Sequence, residues 1–453
     1  MRARRIRIAA GLGAVALTTA CAGAGSLTSG SSDATTIVVA IVSNPQMTDA
    51  ISLSDQFTEE HPNINVDFVS LPENESRAKI TASVATGGGE FDVVMVSNYE
   101  TSMWAENGWL VNLQPYADAT ENYDTEDFLE PVRESLSYEG DMYSVPFYGE
   151  SSFLVYRKDI FDEAGLTMPE QPTWQEVRDR AAAVEQARPD MDGICLRGLA
   201  GWGENLAPLN TVINTFGGRW FDQDWNAQLD SPEVREAVEF YVDLVQEHGQ
   251  EGAATTGFAE CATRYGQGRT AMWYDATSMV NVVESPDDSV TAGLNGYAQA
   301  PVVETEASGW LYTWSLAIPS TTEHADEAWE FISWMTDKEY AHTVAEAYGW
   351  ERVPPGARQS TYEIPEYAEV AEAYAEPTLQ AIRNANQDTT MTRPVPYEGI
   401  QFLAIPEFQD LGTRVGQQIS AAIAGQISVE EALEQSQNYA ETVGESYQQE
   451  EGE

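Results

Sequence analysis

Along the first hundred residues, short apolar runs alternate with segments whose apolar positions have helical periodicity. Residues 36–42 form a β-branched apolar run, residues 63–71 alternate between apolar and polar positions, and residues 91–96 are almost continuously apolar. These patterns predict three strands, the last of them buried on both faces. Helical patterns separate the strands, and the second helix, residues 76–85, ends before three glycines at 87–89. The order strand, helix, strand predicts a parallel sheet in a doubly wound lobe.

Beyond residue 140 the pattern changes to helices joined by a few strands. Residues 144–148 are extended, Gly149 is expected to break that strand, and residues 152–157 form another. We therefore predict that the chain crosses here to a second lobe. The predicted helices are residues 174–188, 231–247, 325–346 and 429–443, with N-caps at Thr173 and Ser231 and a capping box at Ser428 and Glu431.

The N-terminal residues have the pattern of an export signal. Four arginines up to Arg7 precede an apolar segment at 8–17, and small residues then lead to Cys21. The apolar segment is too short to span a bilayer, which needs about 20 residues. The pattern predicts a signal peptide at 1–20.

Cys21 stands at the position where a lipoprotein precursor is cleaved and acylated. The residues before it resemble a bacterial lipoprotein signal, although Thr18 occupies a position that usually holds Leu or Val. We expect Cys21 to be lipidated and residues 21–33, rich in Gly and Ser, to form a flexible tether to a folded body outside the cell. Ordinary secretion, with Cys21 lost or unpaired, is the alternative.

Size and charge narrow the class of protein. With 453 residues the chain exceeds what one hydrophobic core supports, so two lobes are expected. It holds 73 acidic against 23 basic residues, a formal net charge of −50, which argues against nucleic acid as a partner because phosphate binding requires a basic face.

The acidic side chains repel one another, and dissolved salt screens that repulsion. We therefore hypothesise that the protein tolerates high salt. Falling stability in an unfolding series at rising salt would contradict that hypothesis.

The cysteines are consistent with export and do not indicate a metal. If Cys21 carries lipid, Cys195 and Cys261 remain as a possible disulfide, and two free buried thiols are the alternative. The sequence has no CxxC motif, and its four histidines are scattered without ligand spacing. We expect no metal site and no cofactor.

Aromatic residues recur beside glycine or polar residues that interrupt the local pattern. This pairing suits a polyhydroxylated ligand, whose C–H face packs on a ring while its hydroxyls need donors and acceptors, and Arg197 would supply donors. Taken singly, each segment is also explained by ordinary packing in the core or a loop. The segments are residues 98–99, 148–150, 201–205, 273–275 and 309–314.

Catalysis is the weaker interpretation. Glu150 and Glu204 would suit the acid and nucleophile of a glycosidase, but a chain this rich in carboxylates places such pairs by chance. The sequence lacks a serine nucleophile elbow, an HExxH motif and a phosphate-binding glycine loop. We therefore expect that the protein is not an enzyme.

Several segments resemble the solute-binding proteins of ABC importers, the family-1 extracellular binding proteins that include maltodextrin and other sugar binders. The resemblance covers nearly the whole mature chain. It rests on the lipoprotein start and on residues 91–96 (FDVVMV), 145–150 (VPFYGE), 155–161 (VYRKDIF) and 268–273 (GRTAMW). Within the family, residues 194–198, 201–205, 216–221, 354–356 and 401–407 are similar to the branch that binds linear polyols such as mannitol and sorbitol.

The resemblance implies an α/β, two-lobe periplasmic-binding-protein-like fold of the maltodextrin-binding-protein type, with the ligand cleft between the lobes. It places chain crossings near residues 148–152, near 311–315 and after Trp350. Lobe 1 would then hold residues 34–148 and 316–350, and lobe 2 residues 149–315 and 351–453. The expected ligand contacts beside these crossings are Tyr148, Glu150, Arg197, Trp202, Glu204, Asn205, Trp273, Asp275 and Trp310, with Asn44, Tyr99 and Arg352 as second choices.

The function implied is that of a receptor for an importer. A monomeric protein, lipid-anchored on the extracellular face of the membrane, would close on a linear polyol and deliver it to the permease subunits of an ABC transporter. Three alternatives remain at this point. They are a binder of a cyclic mono- or disaccharide on the same fold, a secreted carbohydrate-active enzyme, and an adhesion or signalling lipoprotein.

Overall fold

The computed structural model of the protein describes residues 34–450, which fold around two main β-sheets and a short hairpin. The expected signal peptide at 1–20, the lipidation site Cys21 and the tether at 21–33 lie outside the described residues. In the described part of the chain, no helix combines the length and the apolar character required to cross a membrane.

Strands and helices alternate up to the middle of the chain, and helices dominate thereafter. The strands are β1 (Thr35–Val42), β2 (Ile64–Leu71), β3 (Val93–Ser97), β4 (Ser137–Tyr138), β5 (Asp141–Met142), β6 (Ser144–Glu150), β7 (Ser152–Arg157), β8 (Met272–Ala276), β9 (Asn295–Gln299) and β10 (Tyr312–Ala317). The first helices are α1 (Pro45–Glu60), α2 (Glu73–Thr86), α3 (Asn98–Glu106), α4 (Gln114–Ala119), α5 (Glu130–Glu134), α6 (Lys158–Ala164), α7 (Trp174–Ala187), α8 (Leu206–Thr215) and α9 (Pro232–His248). They are followed by α10 (Phe258–Gly266), α11 (Val280–Val283), α12 (Ala325–Thr336), α13 (Tyr340–Tyr348), α14 (Pro365–Val370), α15 (Ala375–Asn384), α16 (Gln387–Thr390), α17 (Phe408–Ile423) and α18 (Val429–Glu450).

The first sheet forms the centre of the first lobe. Its strand order is β2-β1-β3-β10-β6, with β1 parallel to β2 and β3, and β10 antiparallel to β3 and β6. Every residue of the central strand β3 and of the edge strand β6 is buried, so both faces of the sheet are covered at these strands. The predicted parallel start of the fold, strand then helix then strand, is confirmed.

The second sheet is antiparallel, in the order β8-β7-β9, and the chain enters it at Ser151. Gly149 does not break the preceding strand as expected, because β6 continues to Glu150. A Cβ on Gly149 would lie 2.3 Å from the carbonyl oxygen of Gly356, and a Cβ on Gly356 would lie 1.9 Å from that of Gly149. Glycine is needed here for a close approach of two backbones.

The first passage between the sheets runs from β6 to β7 at residues 150–152, inside the expected range 148–152. Because β10 pairs with β3 and β6 along its length, the return from the second sheet lies between Gln299 and Tyr312, ahead of the expected 311–315. Residues 149–150 likewise belong to the first sheet through β6. After α13 the chain still contacts the first lobe at Arg358, whose Nε donates to the carbonyl oxygen of Thr336 at 2.8 Å, before α15 packs on the second sheet.

The helix bounds differ from the prediction at two places. The helix predicted at 325–346 is two helices, α12 and α13, because Asp337 has an extended backbone and its carboxylate accepts from the first N–H of α13 at 2.8 Å. The C-terminal helix extends past 443 to Glu450. The predicted N-caps Thr173 and Ser231 are confirmed, since both side chains accept from the first turn of their helices.

Candidate functional site

A cavity of about 650 Å³, the cleft, lies between the two lobes and is lined by both. Its volume is suited to a small organic ligand. Among residues 34–450, no three or more His, Cys, Asp or Glu side chains come together in a way that would hold a metal ion. The lining includes Asn44, Glu73, Arg77, Tyr148, Glu150, Tyr312 and Trp314 on the side of the first sheet, Arg197, Gly203, Glu204, Phe258 and Ser278 on the side of the second, and Gln401 and Phe402 from the C-terminal region.

Arg77, on α2, is fixed in the wall of the first lobe by ion pairs and by stacking. It donates to Glu73 Oε1 from Nε at 3.0 Å and from Nη2 at 2.9 Å, and to Glu100 Oε1 from Nη1 at 3.2 Å. Its guanidinium carbon lies 4.3 Å from the ring centroid of Trp202 and 4.5 Å from that of Trp314. Cation–π contacts with two rings leave the guanidinium little freedom to move.

Arg197 occupies the corresponding place in the wall of the second lobe. Its Nε donates to Asp275 Oδ2 at 2.8 Å, and its Nη2 donates to Asp275 Oδ1 at 2.5 Å. Asp275 is completely buried and also accepts from Trp273 Nε1 at 3.1 Å. The bidentate pair aims the guanidinium at the cleft from a fixed base.

Two carboxyl groups of the cleft have pKa values raised by burial. Burial raises the pKa of Glu150 to about 8, although a hydrogen bond of 2.5 Å from Ser278 Oγ and the charge of Arg197 act to lower it. Burial also raises the pKa of Glu204 to about 7, with Arg197 lowering it and the negative charge of Glu73 raising it. A protonated carboxyl both donates and accepts, so either group is able to pair with a ligand hydroxyl in both senses.

Amide and phenol groups complete the polar lining. Asn44 Oδ1 caps α1 by accepting from the backbone N–H of Met47 at 2.9 Å, and its Nδ2 donates to the hydroxyl oxygen of Tyr148 at 3.1 Å. Gln401 is buried, and its Oε1 has no hydrogen-bond partner within residues 34–450. A buried acceptor without a partner is costly, so this oxygen is available to a ligand hydroxyl.

Comparison with known proteins identifies the fold. Residues 44–342 match the family model of the bacterial extracellular solute-binding proteins. The chain belongs to this family. The mannitol-binding protein of Pseudomonas aeruginosa is 41% identical over 401 residues, which are 88% of this chain and 91% of that protein.

Solved structures of solute-binding proteins confirm the expected two-lobe architecture. The solute-binding protein of an ABC transporter from Agrobacterium vitis S4, with bound D-mannitol, is 43% identical and superimposes with a TM-score of 0.88, covering 91% of this chain and 99% of that one. The maltose-bound MalE3 protein of T. maritima is 21% identical and has a TM-score of 0.75, with 90% of this chain and 99% of that chain covered. The second match shows the shared fold alone.

The sequence-predicted contact residues of this solute-binding protein separate into two groups. One group lines the cleft, and the other lies behind its walls or in the core. The lining group is Asn44, Tyr148, Glu150, Arg197, Glu204 and Arg352. The second group is Tyr99, Trp202, Asn205, Trp273, Asp275 and Trp310.

The residues of the second group support the walls. Tyr99 packs on Trp202 with ring centroids 5.4 Å apart, and Trp202 in turn stacks on the guanidinium of Arg77. Asn205 Nδ2 donates to the carbonyl oxygen of Gly416 at 2.8 Å and ties α8 to α17. Trp310 is completely buried and precedes β10 in the chain.

Sequence reasoning missed several residues that line the cleft. Glu73 and Arg77 are four residues apart at the start of α2, and a charged pair with this spacing is usually found on the solvent face of a helix. Residues 309–314 form one of the predicted aromatic segments, but Tyr312 and Trp314, within β10, line the cleft whereas the expected contact Trp310 does not. The missed residues are Glu73, Arg77, Ser278, Tyr312, Trp314, Gln401 and Phe402.

Cys195 and Cys261 form a disulfide bond beside the cleft. The backbone N–H of Cys195 donates to the carbonyl oxygen of Met272 at 2.8 Å, so this cysteine is attached to β8, while Cys261 lies on α10. Phe258, the first residue of α10, has its ring 5.1 Å from the guanidinium carbon of Arg197. The bond therefore holds a helix that contributes to the cleft against the sheet behind it.

Proposed function

We propose that this protein captures a linear polyol of the mannitol type between its lobes and delivers it to the permease of an ABC importer. The observation that carries the proposal is the cleft, where both lobes direct fixed polar groups into one space of about 650 Å³. Each hydroxyl of an open-chain polyol donates and accepts. Guanidinium groups supply donors, the Gln401 side chain supplies an acceptor, and protonated Glu150 and Glu204 supply both.

We propose that the ligand contacts come from both lobes. The rings of Tyr312 and Trp314 supply faces for the C–H groups of the ligand, and Arg77 and Arg197 supply donors from opposite walls. The full proposed set is Asn44, Glu73, Arg77, Tyr148, Glu150, Arg197, Glu204, Ser278, Tyr312, Trp314 and Gln401.

Two relatives support a polyol as the ligand. The Pseudomonas aeruginosa relative, 41% identical, is a mannitol-binding protein, and the Agrobacterium vitis structure, 43% identical, contains bound D-mannitol. Both matches extend over about nine-tenths of each chain, so they include both walls of the cleft.

We infer a function in binding rather than in bond making. A ligand that contacts both lobes binds the closed arrangement more tightly than an open one, so it shifts the population towards the closed state that a permease is able to recognise. Stereoisomers are separated because a misplaced hydroxyl leaves a buried polar group unpaired, at about 1–3 kcal/mol for each group. The relatives, which are binding proteins, support this inference.

Calorimetric titration of the mature protein tests the proposal. The panel is mannitol, sorbitol, arabitol, trehalose and maltose, in buffers of high ionic strength. We expect one-to-one binding of at least one polyol and no heat with the disaccharides. Binding of a disaccharide and of no polyol would contradict the polyol assignment but remain consistent with the fold. Hydrolysis of a glycoside would contradict the inference that the protein only binds its ligand.

The family is one of extracellular proteins, so the chain is exported. We propose that a lipid on Cys21 retains it at the outer face of the membrane. The support is the pattern of the first 21 residues, with its arginines, short apolar segment and small residues before the cysteine. We expect the full-length chain to sediment with membranes and Cys21→Ala to be released, and release of both forms would contradict the anchor.

We also propose a division of the chain and a monomeric state. Lobe 1 takes residues 34–150 and 312–360, and lobe 2 takes residues 151–311 and 361–450. The first sheet includes β6 and β10, and Arg358 donates to the carbonyl oxygens of Thr336 and Tyr123 in the first lobe. The cleft is lined by residues of a single chain, so ligand binding does not require a second copy. Light scattering is expected to give the mass of a monomer with and without ligand, and a concentration-dependent dimer would contradict this.

A further inference from the structure

Arg352 lies on the passage of the chain that leads from the first lobe to the second. It ends a short 3₁₀ turn that follows α13, and Tyr340 at the start of α13 packs against Phe147 of β6 with ring centroids 5.8 Å apart. Farther along the chain, α15 packs on the second sheet, where Gln299 Nε2 donates to the carbonyl oxygen of Pro377 at 3.1 Å. Arg352 is therefore positioned between elements of the first lobe and elements of the second.

The guanidinium of Arg352 binds one carboxylate from each lobe. Its Nε and Nη2 donate to Asp49 of α1, in the first lobe, at 2.9 and 2.8 Å. Its Nη1 donates to Asp288, which lies between α11 and β9 in the second lobe. We call these three residues the clasp. The side chains of Arg352 and Asp49 are only 15% and 9% exposed, so solvent screens their attraction weakly.

A second polar contact spans the same gap. Gln46 of α1 donates from Nε2 to Oδ1 of Asn281, on α11, at 2.9 Å. The Nδ2 of Asn281 donates to the carbonyl oxygens of Glu351 at 2.7 Å and Val353 at 3.0 Å, on either side of Arg352 in the chain. The clasp is thus part of a continuous set of contacts that joins the first lobe, the passage and the second lobe.

The charges of the clasp explain the need for arginine at this position. Burial raises the pKa of Asp49, and the negative charge of Asp288 adds to the rise while Arg352 opposes it. Without the guanidinium, two carboxylates from different lobes would face each other and repel. A planar fork with five N–H donors is able to satisfy both carboxylates together.

We propose that Arg352 is a positioning residue that stabilises the closed arrangement of the lobes by bridging Asp49 and Asp288, and that it does not act by contacting the ligand. Arg352 lines the cleft, and its guanidinium joins a carboxylate of the first lobe to one of the second. The carboxylate partners of Arg77, Glu73 and Glu100, both lie in the first lobe. Loss of the bridge raises the population of the open state and lowers the apparent affinity, because less of the protein is competent to hold a ligand.

The distance between the lobes in the absence of ligand is the decisive measurement. Spin labels are placed at Asn107 of the first lobe and Glu239 of the second, both of which are exposed. We expect Arg352→Gln to shift the distance distribution towards an open form, and Arg352→Lys to shift it less because lysine keeps the charge but lacks the fork. Arg414→Gln, which removes an exposed pair with Asp410 on α17, serves as the matched control and is expected to leave the distribution unchanged.

Ligand titration completes the test and rests on the proposed function. We expect Arg352→Gln to weaken polyol binding roughly tenfold, mainly through faster dissociation. Asp288→Asn is expected to move the distances and the affinity in the same direction. Unchanged ligand-free distances in Arg352→Gln would overturn the proposal, and so would weaker binding with unchanged distances, since that pattern indicates a direct ligand contact. If Arg352→Gln shifts the distances but neither the parent protein nor any variant binds a polyol, the role of the clasp is supported and only the proposed ligand is contradicted.

Discussion

The carboxylate of Asp275 and the guanidinium of Arg197 meet in two hydrogen bonds, of 2.8 and 2.5 Å, within the wall of the cleft. Asp275 is completely buried and Arg197 lines the cavity. A residue that does not reach the cavity therefore fixes the position of one that does. The affinity of the cleft depends on this relationship as well as on the residues at its surface.

Asp275→Asn is expected to lower both stability and affinity. The substitution preserves shape but removes the nearer counter-charge of the buried Arg197 guanidinium and leaves Glu204, 3.8 Å from Nη1. Breaking a buried ion pair typically costs about 3 kcal/mol. We expect at least a tenfold loss of polyol affinity in calorimetry and a lower free energy of unfolding in a denaturant titration. Asp410→Asn, which breaks an exposed pair with Arg414, is the control. Equal effects of the two substitutions would contradict a special role for Asp275.

Glu150 makes stability depend on pH. The pKa of Glu150 rises from 4.5 to about 8 on folding, because burial disfavours its charged form. Above about pH 4.5 the folded state therefore holds a proton that the unfolded chain has lost, and this contribution to stability disappears as the pH rises towards 8. Glu204, with a pKa of about 7, acts in the same direction.

We accordingly expect the melting temperature to fall as the pH rises from 4.5 to about 8. The fall should be smaller in Glu150→Gln, whose amide remains neutral throughout. Thermal unfolding in a series of buffers is the measurement, with the parent protein and the variant compared at each pH. An identical slope in the two proteins would show that Glu150 does not carry the effect.

The charges around the cleft predict discrimination against anionic analogues. Arg77 already pairs with Glu73 and Glu100, and Arg197 with Asp275, so a ligand carboxylate would add an unmatched negative charge. We expect D-mannonate to bind at least about tenfold more weakly than D-mannitol, with a larger difference at high pH as the cleft carboxyls ionise. Calorimetry at two pH values measures both effects, and equal affinities would contradict the argument.

Reduction of the disulfide is expected to destabilise the second lobe. The bond joins residues separated by 66 positions, and loop closure of that length contributes about 4 kcal/mol in the chain-entropy model. A reductant should lower the melting temperature of the parent protein. It should have no effect on the double variant Cys195→Ser and Cys261→Ser, which ought to melt near the temperature of the reduced parent. Sensitivity of the double variant to reductant would point to a different cause.

The sequence predicted the three parallel strands of the first sheet because local chemistry marks them, but it did not predict that β10 pairs antiparallel with β3 and β6. Short β-branched runs bounded by helical segments leave few alternatives to parallel strands, as the pairing of β1 with β2 and β3 shows. The prediction failed at Asp337, where a single side chain ends one helix and begins another. Such a break has no signature in hydrophobic periodicity.

The candidate site was harder to predict because the sequence does not distinguish an aromatic ring in the core from one that lines a cleft. Trp273 and Trp310 stand beside polar residues or glycine, yet both are completely buried and neither lines the cleft. Glu73 and Arg77 are spaced like an ordinary surface pair on a helix, so nothing local marks them as cleft residues. The folded chain places both in the lining of the cleft.

The contact between Gly149 and Gly356 limits which substitutions the chain tolerates at these two positions. At these two positions the passages between the lobes lie backbone against backbone, with no room for a methyl group on either side. Any side chain there would wedge the passages apart and alter the geometry of the cleft without touching it. Random mutagenesis followed by selection for polyol uptake should therefore leave both glycines in place, although neither glycine lines the cleft.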